Sequence, residues 1–260
     1  MMMITIDGAD IHYVQEGSGT PIILLHSLGG SGEMWRRTID DLKSDFTVIA
    51  PDARGHGRSQ AKGEISVERY AKDARALAAA LKLPSYGVLG LSMGGQAAMH
   101  VAADDPDRVR FLIAADTSLG AASKNPERVE ATRRRIKEIG ARAFADEYTK
   151  SRLMPDAPAA AVDGFAALVM HTLPDIYGAQ LASIMAQDLR PRVGAIRCPT
   201  LIVVGSDDVS TPPSAAEALC RAIAGARLQV IANANHLSNI DRPDAFNAAV
   251  KAFAMEAARG

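Results

Sequence analysis

The pentapeptide Gly90–Gly94 places a serine between two glycines, at the junction of a predicted strand and a predicted helix. The apolar run Tyr86–Leu89 precedes it, and residues 95–103 continue with a helix-compatible composition. A serine in such a sharp strand-to-helix turn adopts a strained backbone conformation, which small neighbours permit. Its hydroxyl is thereby projected out of the sheet. Because a serine hydroxyl alone is a weak nucleophile at neutral pH, the motif requires a histidine and a carboxylate elsewhere in the chain.

Short apolar segments alternate with longer helical patterns along most of the chain. The predicted strands are Met3–Asp7, Ile11–Gln15, Pro21–Leu25, Phe46–Pro51, Tyr86–Leu91, Val109–Ala115, Thr200–Gly205 and Arg227–Ala232. The predicted helices between them are Glu33–Lys43, Ser66–Leu81, Met93–Asp104, Ser214–Ala224 and Asp241–Ala258. Runs such as Ile22–Leu25 and Leu201–Val204 are apolar at every position, which is typical of strands buried on both faces of a parallel sheet. The alternation predicts a doubly wound α/β sheet whose first two strands form an antiparallel edge.

This alternation stops between about Gly120 and Pro199, where helical patterns continue without a convincing strand. We interpret residues 120–195 as a helical cap, inserted between a first core segment, 1–119, and a second, 196–260. Ligands of open α/β sheets bind beyond the carboxyl ends of the strands, and a cap would close that crevice.

The composition limits the classes of partner. The chain has 260 residues, of which 48% are hydrophobic and 23% charged, with a formal net charge of −1. This balance favours one large core and gives no electrostatic reason to expect nucleic acid or an anionic membrane as a partner. No signal peptide or membrane-length apolar run is recognisable, and the two cysteines show no metal-ligand spacing. We therefore expect a cytoplasmic protein without a metal or cofactor.

The required base and acid have candidates in the expected chain order. Of the six histidines, only His236 follows the last predicted strand, where the base of this motif lies. The acid belongs after a late strand, between the serine and the histidine. Chain order leaves the neighbours Asp207 and Asp208 as candidates, with the earlier Asp116 in reserve.

Such a site also needs two backbone N–H groups that stabilise the negative charge developing on the substrate carbonyl oxygen. One belongs to Met93, the residue after the serine. The other is expected in the loop after the third strand, His26–Gly30, where we choose Leu28. A second glycine-rich segment, Asp52–Ser59, lacks the motifs of a phosphate-binding loop, so we interpret it as a structural loop supporting the site.

Taken together, these motifs resemble the α/β-hydrolase superfamily over essentially the whole chain, and within it the 3-oxoadipate enol-lactonase and carboxylesterase group. The segments that carry this resemblance are Leu25–Gly29, Met34–Trp35, Arg54–Ser59, Gly90–Gly95, Leu173–Gly178, Asp188–Arg190 and Asn235–Ile240. The spacing Gly205-x-x-Asp208-x-x-x-Pro212, found across the superfamily, implies that Asp208 rather than Asp207 is the acid. The chain departs from these families at Asn235, where they usually have glycine, and at His26, where enol-lactonases often have asparagine.

The resemblance implies a hydrolase that cleaves a small ester or lactone with water, through an acyl-enzyme on Ser92. Candidate substrate contacts are Ser27, Trp35 and Tyr177. Alternative chemistries for the same residues are amide, formyl or carbon–carbon hydrolysis, or acyl transfer to an alcohol or peroxide. A small-molecule receptor with little turnover is the alternative from a different class, because a fold does not fix a function.

Overall fold

A computed structural model describes residues 2–121 and 123–259. Its centre is an eight-stranded sheet with the strand order β1-β2-β4-β3-β5-β6-β7-β8. The strands are β1 Met2–Ile6, β2 Ala9–Glu16, β3 Thr20–Leu25, β4 Phe46–Pro51, β5 Tyr86–Leu91, β6 Val109–Ala115, β7 Thr200–Gly205 and β8 Arg227–Ile231. Strand β2 is antiparallel to both of its neighbours, and the other pairs are parallel. The predicted eight-stranded, mostly parallel sheet is therefore confirmed.

Helices flank this sheet. They are α1 Arg36–Leu42, α2 Val67–Ala80, α3 Met93–Asp104, α4 Pro126–Ile139, α5 Ala141–Lys150, α6 Ala159–Val169, α7 Pro174–Ala186, α8 Pro213–Ala222, α9 Ser238–Asp241 and α10 Pro243–Arg259. Short 3-10 helices span Gly32–Trp35 and Val193–Ala195. The segment predicted as a single helix from Glu33 to Lys43 therefore divides, because Ser31 caps a separate 3-10 turn by accepting a hydrogen bond from Glu33 N. No helix in the described part of the chain is long and apolar enough to span a membrane.

Helices α4 to α7 occupy the stretch between β6 and β7, and no strand interrupts its described residues. We call these four helices and the segments that join them the cap. Its helix α7 packs on α4, α5 packs on α6, and α7 also touches α2 of the core. The division of the chain into domains at residues 120 and 195 stays a prediction.

Close backbone packing at the start of α3 determines where the site forms. A Cβ atom added to Gly94 would lie 2.0 Å from Leu25 O at the end of β3, and one added to Gly90 would lie 2.0 Å from Gly94 O. Real side chains do not tolerate such distances, so both positions require glycine. The first turn of α3 can therefore rest directly on the loop that follows β3.

We expect Gly94→Ala to lower the free energy of unfolding by at least about 1–3 kcal/mol, because the new methyl group overlaps a backbone carbonyl. Gly164→Ala in α6 is the matched control, since no heavy atom lies within 4 Å of its added Cβ. That change should instead raise stability by up to about 1 kcal/mol through helix propensity. Urea unfolding of both variants measures the difference. Equal stabilities would contradict the close approach of α3 to the β3 loop.

Candidate active site

Ser92 lies in the sharp turn between β5 and α3. Its backbone has φ 57° and ψ −112°, in the left-handed region that a residue with a side chain rarely adopts. Two bonds hold this conformation: Ser92 N donates to Ala115 O at 2.9 Å, and Thr117 Oγ1 donates to Ser92 O at 2.8 Å. The strand β6 and the loop after it therefore fix the serine backbone from outside the turn.

A continuous hydrogen-bonded chain runs from this serine to a carboxylate. Ser92 Oγ lies 2.9 Å from His236 Nε2, and His236 Nδ1 lies 2.9 Å from Asp208 Oδ2. Because a carboxylate only accepts hydrogen bonds, Nδ1 carries the proton in the neutral ring and Nε2 is left to accept from the serine hydroxyl. The histidine is therefore oriented to take the serine proton.

Asp208 is held by donors from its own loop as well. Its Oδ1 accepts from Ser210 N at 2.7 Å and from Thr211 N at 2.9 Å, and its Oδ2 accepts from Thr211 Oγ1 at 2.7 Å. Burial alone would raise the pKa of Asp208, but the bonds from His236 and Thr211 outweigh it and hold this pKa below its usual value. The carboxylate therefore stays ionised beside the histidine.

The two other candidate acids do not contact the histidine. Asp207 is exposed and accepts from Ser206 Oγ. Asp116 is fully buried; it accepts from Gly205 N at 2.9 Å and from Ser238 Oγ at 2.6 Å. Burial raises the pKa of Asp116 well above its ordinary value, because these bonds do not replace the lost solvation and Asp208 lies nearby. Of the three aspartates, the structure therefore brings only Asp208 to His236.

The two expected oxyanion donors lie at the same end of the sheet. Met93 is the first residue of α3, so its N–H has no partner within the helix. Leu28 lies in the loop after β3 and lines the same cavity as Ser92. Within residues 2–121 and 123–259, neither backbone N–H donates to a protein acceptor. Neither donor is thus taken up by a protein acceptor among these residues.

A buried polar network supports the loop that carries Leu28. His26 Nδ1 lies 2.8 Å from Ser27 O, and His26 Nε2 accepts from Ala53 N at 2.9 Å. Burial lowers the pKa of His26, and it lowers the pKa of His56 to about 3, so both rings are neutral. The glycine-rich segment 52–59 therefore joins the β3 loop through hydrogen bonds, which agrees with a structural role for it.

The cavity above Ser92 has a volume of about 340 Å³. Leu28, Ser92 and His236 lie on its core side, and aromatic side chains of the cap, among them Tyr148 and Tyr177, lie on the other. This volume falls in the range of sites for small organic molecules.

Of the three predicted substrate contacts, only Tyr177 lines this cavity. Trp35 is completely buried in the core, with its ring centroid 6.3 Å from that of Phe246. Ser27 is also buried, and its hydroxyl points to Met34 Sδ at 3.7 Å. The large apolar surface of Trp35 is buried by the core rather than by a ligand. The expectation for Trp35 and Ser27 is therefore corrected.

The cavity also contains two arginines that sequence reasoning did not select. Arg128 comes from α4, and Arg152 follows α5; both line the cavity, whereas no aspartate or glutamate does so among the described residues. The Arg152 guanidinium lies 4.9 Å above the centroid of the Tyr148 ring and donates to Ser210 Oγ. Neither arginine pairs with a carboxylate in the part of the chain that the structure describes. The cap contains many arginines, and no periodicity distinguishes the ones that face the cavity.

Comparison with known proteins assigns this fold to a family. A family model for the alpha/beta hydrolase fold matches residues 20–243, so the chain belongs to the alpha/beta hydrolase family. It is 29% identical to 3-oxoadipate enol-lactonase 2 of Acinetobacter baylyi over 234 residues, which cover 89% of this chain and 87% of that protein. It is 26% identical to the pyrrolizixenacetamide deacetylase of Xenorhabdus hominickii, with 98% of each chain covered.

A solved structure supports the same assignment. The crystal structure of the enol-lactonase from Burkholderia xenovorans superposes with a TM-score of 0.89 at 29% identity, covering 98% of this chain and 100% of that one. The resemblance to the enol-lactonase group is thus confirmed at the level of sequence and fold.

Asp116 gives the protein a pH-dependent stability. Because burial raises its pKa in the folded state above the unfolded value of about 3.9, the unfolded chain loses this proton first as the pH rises. The stabilisation from Asp116 is fully present below the unfolded pKa and declines as the pH rises towards the folded pKa. Asn cannot ionise. We therefore expect the free energy of unfolding of Asp116→Asn to rise relative to that of the wild type as the pH increases from about 4 to about 7. Urea unfolding across this range measures it, and a pH-independent difference would contradict the raised pKa.

Proposed function

We propose that this protein is a serine hydrolase that cleaves small carboxylic esters or lactones through an acyl-enzyme on Ser92. The observation that carries the proposal is the chain of hydrogen bonds from Ser92 through His236 to Asp208, with distances of 2.9 Å and 2.9 Å. It ends at a cavity of about 340 Å³, and among the described residues the backbone N–H groups of Leu28 and Met93 donate to no protein acceptor. Nucleophile, base, orienting carboxylate and oxyanion donors are the parts that acyl transfer requires.

In the first half of the reaction, Ser92 Oγ attacks the ester carbonyl carbon while His236 Nε2 takes the hydroxyl proton. The carbonyl oxygen becomes an oxyanion, which the N–H groups of Leu28 and Met93 stabilise. The carbon–oxygen bond to the alcohol then breaks, and His236 returns its proton to the departing alkoxide oxygen. The acyl group stays on Ser92; with a lactone, the released hydroxyl remains attached to it.

In the second half, a water molecule attacks the acyl carbon and gives one proton to His236. The bond to Ser92 Oγ breaks, and the proton passes from His236 to the serine oxygen. The carboxylic acid is released and the site returns to its starting state. No cofactor is needed for these steps.

The charge of the cavity points to a substrate that itself carries a carboxylate. Arg152 and Arg128 lack a carboxylate partner among the described residues, and Arg152 Nε is buried without a hydrogen-bond acceptor. A guanidinium binds a carboxylate through charge-assisted bonds that are stronger than neutral ones. We therefore propose an anionic ester or lactone, with its carboxylate at the cap and its scissile carbonyl at Ser92.

Amide or acyl-amide cleavage is the second candidate, since the deacetylase relative shares 98% coverage with this chain and the same residues suit an amine leaving group. A receptor with little turnover is disfavoured, because binding alone needs neither the Ser92–His236 bond nor free oxyanion donors. A panel of matched esters and amides separates these candidates.

Ser92→Ala should reduce kcat for an activated ester by at least about 10⁴-fold, because among the described residues only the Ser92 hydroxyl bonds His236 Nε2. Circular dichroism provides the control for folding. If the folded variant hydrolyses the ester at the wild-type rate, the proposed covalent route is wrong.

Arg152→Ala should reduce the ratio of kcat/KM for a carboxylated aryl ester to that for a neutral one by about 10- to 100-fold. This is the factor expected when a hydrogen bond to a charged group is lost. Arg142→Ala is the matched control, because this cap arginine pairs with Asp146 on an exposed face. Steady-state kinetics with 4-nitrophenyl acetate and the 4-nitrophenyl hemiester of succinic acid measure the ratio. An unchanged ratio for Arg152→Ala would remove the argument for an anionic substrate.

A further inference from the structure

Three consecutive cap residues are each hydrogen-bonded to residues 235–241, which comprise the turn that carries His236 and the short helix α9. We call this stretch the catalytic loop. These bonds run from Leu237 N to Arg152 O at 3.2 Å, from Asn235 Nδ2 to Leu153 O at 3.4 Å, and from Met154 N to Asp241 Oδ1 at 2.9 Å. We call this set of contacts the clasp. It joins the cap to the catalytic loop over residues 152–154.

Two side chains build the clasp from the side of the catalytic loop. Asp241, which is 4% exposed, accepts from Asn235 N at 2.8 Å with the oxygen that does not bind Met154. Asn235 Oδ1 accepts from His236 N at 2.9 Å and from Val209 N at 3.4 Å, in the loop of Asp208. A glycine at 235 would make none of these side-chain bonds.

The clasp fixes the backbone of Arg152, and the side chain of the same residue reaches the cavity. Its guanidinium extends over Tyr148 and donates to Ser210, two residues after Asp208. The loop that positions His236 therefore also positions the Arg152 guanidinium. A flexible cap would let these two groups move relative to one another, whereas three backbone-anchored bonds restrict that movement.

We propose that Asn235 and Asp241 are positioning residues that fix the distance between the Arg152 guanidinium and the Ser92–His236 pair. A fixed distance selects carboxylated esters by the number of carbons between the carboxylate and the scissile carbonyl. This inference rests on the proposed function, because it assigns the anion-binding role to Arg152 and the chemistry to Ser92.

The test is a chain-length profile measured with 4-nitrophenyl hemiesters of succinic, glutaric and adipic acids. The wild type should prefer one length, and Asn235→Ala should lower kcat/KM for that length by about 5- to 10-fold, mostly through KM, while flattening the profile. Asn233→Gly is the matched control: it removes an exposed amide from the same loop at a φ of 55° that suits glycine. It should leave the profile unchanged.

A double-mutant cycle separates positioning from general destabilisation. If Asn235 acts through Arg152, adding Asn235→Ala to Arg152→Ala should change kcat/KM for the preferred hemiester by less than about 2-fold. The inference would be overturned if Asn235→Ala lowered kcat/KM by the same factor with and without Arg152. It would also be overturned if kcat/KM fell equally for every chain length.

Hydrogen exchange tests the clasp without relying on activity. The amides of Met154 and Leu237 should exchange faster in Asn235→Ala and in Asp241→Asn than in the wild type or in Asn233→Gly. Exchange at the wild-type rate would overturn the clasp itself. A wild type that hydrolyses no ester would overturn the proposed function and the selectivity role together, whereas additive mutant effects in an active enzyme would overturn only the role of Asn235.

Discussion

The left-handed backbone of Ser92, with φ 57°, is the constraint on which the rest of the site depends. A conformation of this kind costs on the order of 1–3 kcal/mol and persists only where surrounding structure enforces it. Here the parallel strands on both sides stabilise the conformation. Gly90 and Gly94 allow the neighbouring backbone segments to approach each other closely. The same close approach brings the loop after β3 against α3, so the turn that exposes the hydroxyl also brings Leu28 to the cavity.

Much of this arrangement was predictable from the sequence. Strands β4, β5, β6 and β7 begin and end where predicted, because they are apolar runs bounded by turn residues. The carboxyl ends of parallel strands meet at one edge of the sheet, so chain order was enough to bring Ser92 and His236 together. Choosing the acid required more, since adjacent residues after a strand point in opposite directions and only one of them can face the histidine. The spacing shared with the superfamily indicated Asp208, the aspartate that contacts His236.

The sequence could not indicate those contacts that depend on how distant elements of the chain pack against each other. Trp35 is large and apolar, which suits a pocket wall as well as a core, and only the packing of Phe246 against it decides between them. Arg152 lies in a connection without periodicity, among many cap arginines. Its direction follows from backbone bonds to a loop more than eighty residues away in sequence. Under the proposed function, the cap would determine which acyl group is accepted, and the core would provide the groups that react with it.

The proposed mechanism requires Ser92 to form a covalent bond with the acyl group. Its most direct test is mass spectrometry of the intact protein, quenched in acid within the first turnover of an activated aryl ester. We expect a mass increase equal to the acyl group minus one hydrogen, located by digestion to the peptide that contains Ser92. Turnover without any adduct in quenched samples, or an adduct on a different residue, would contradict it.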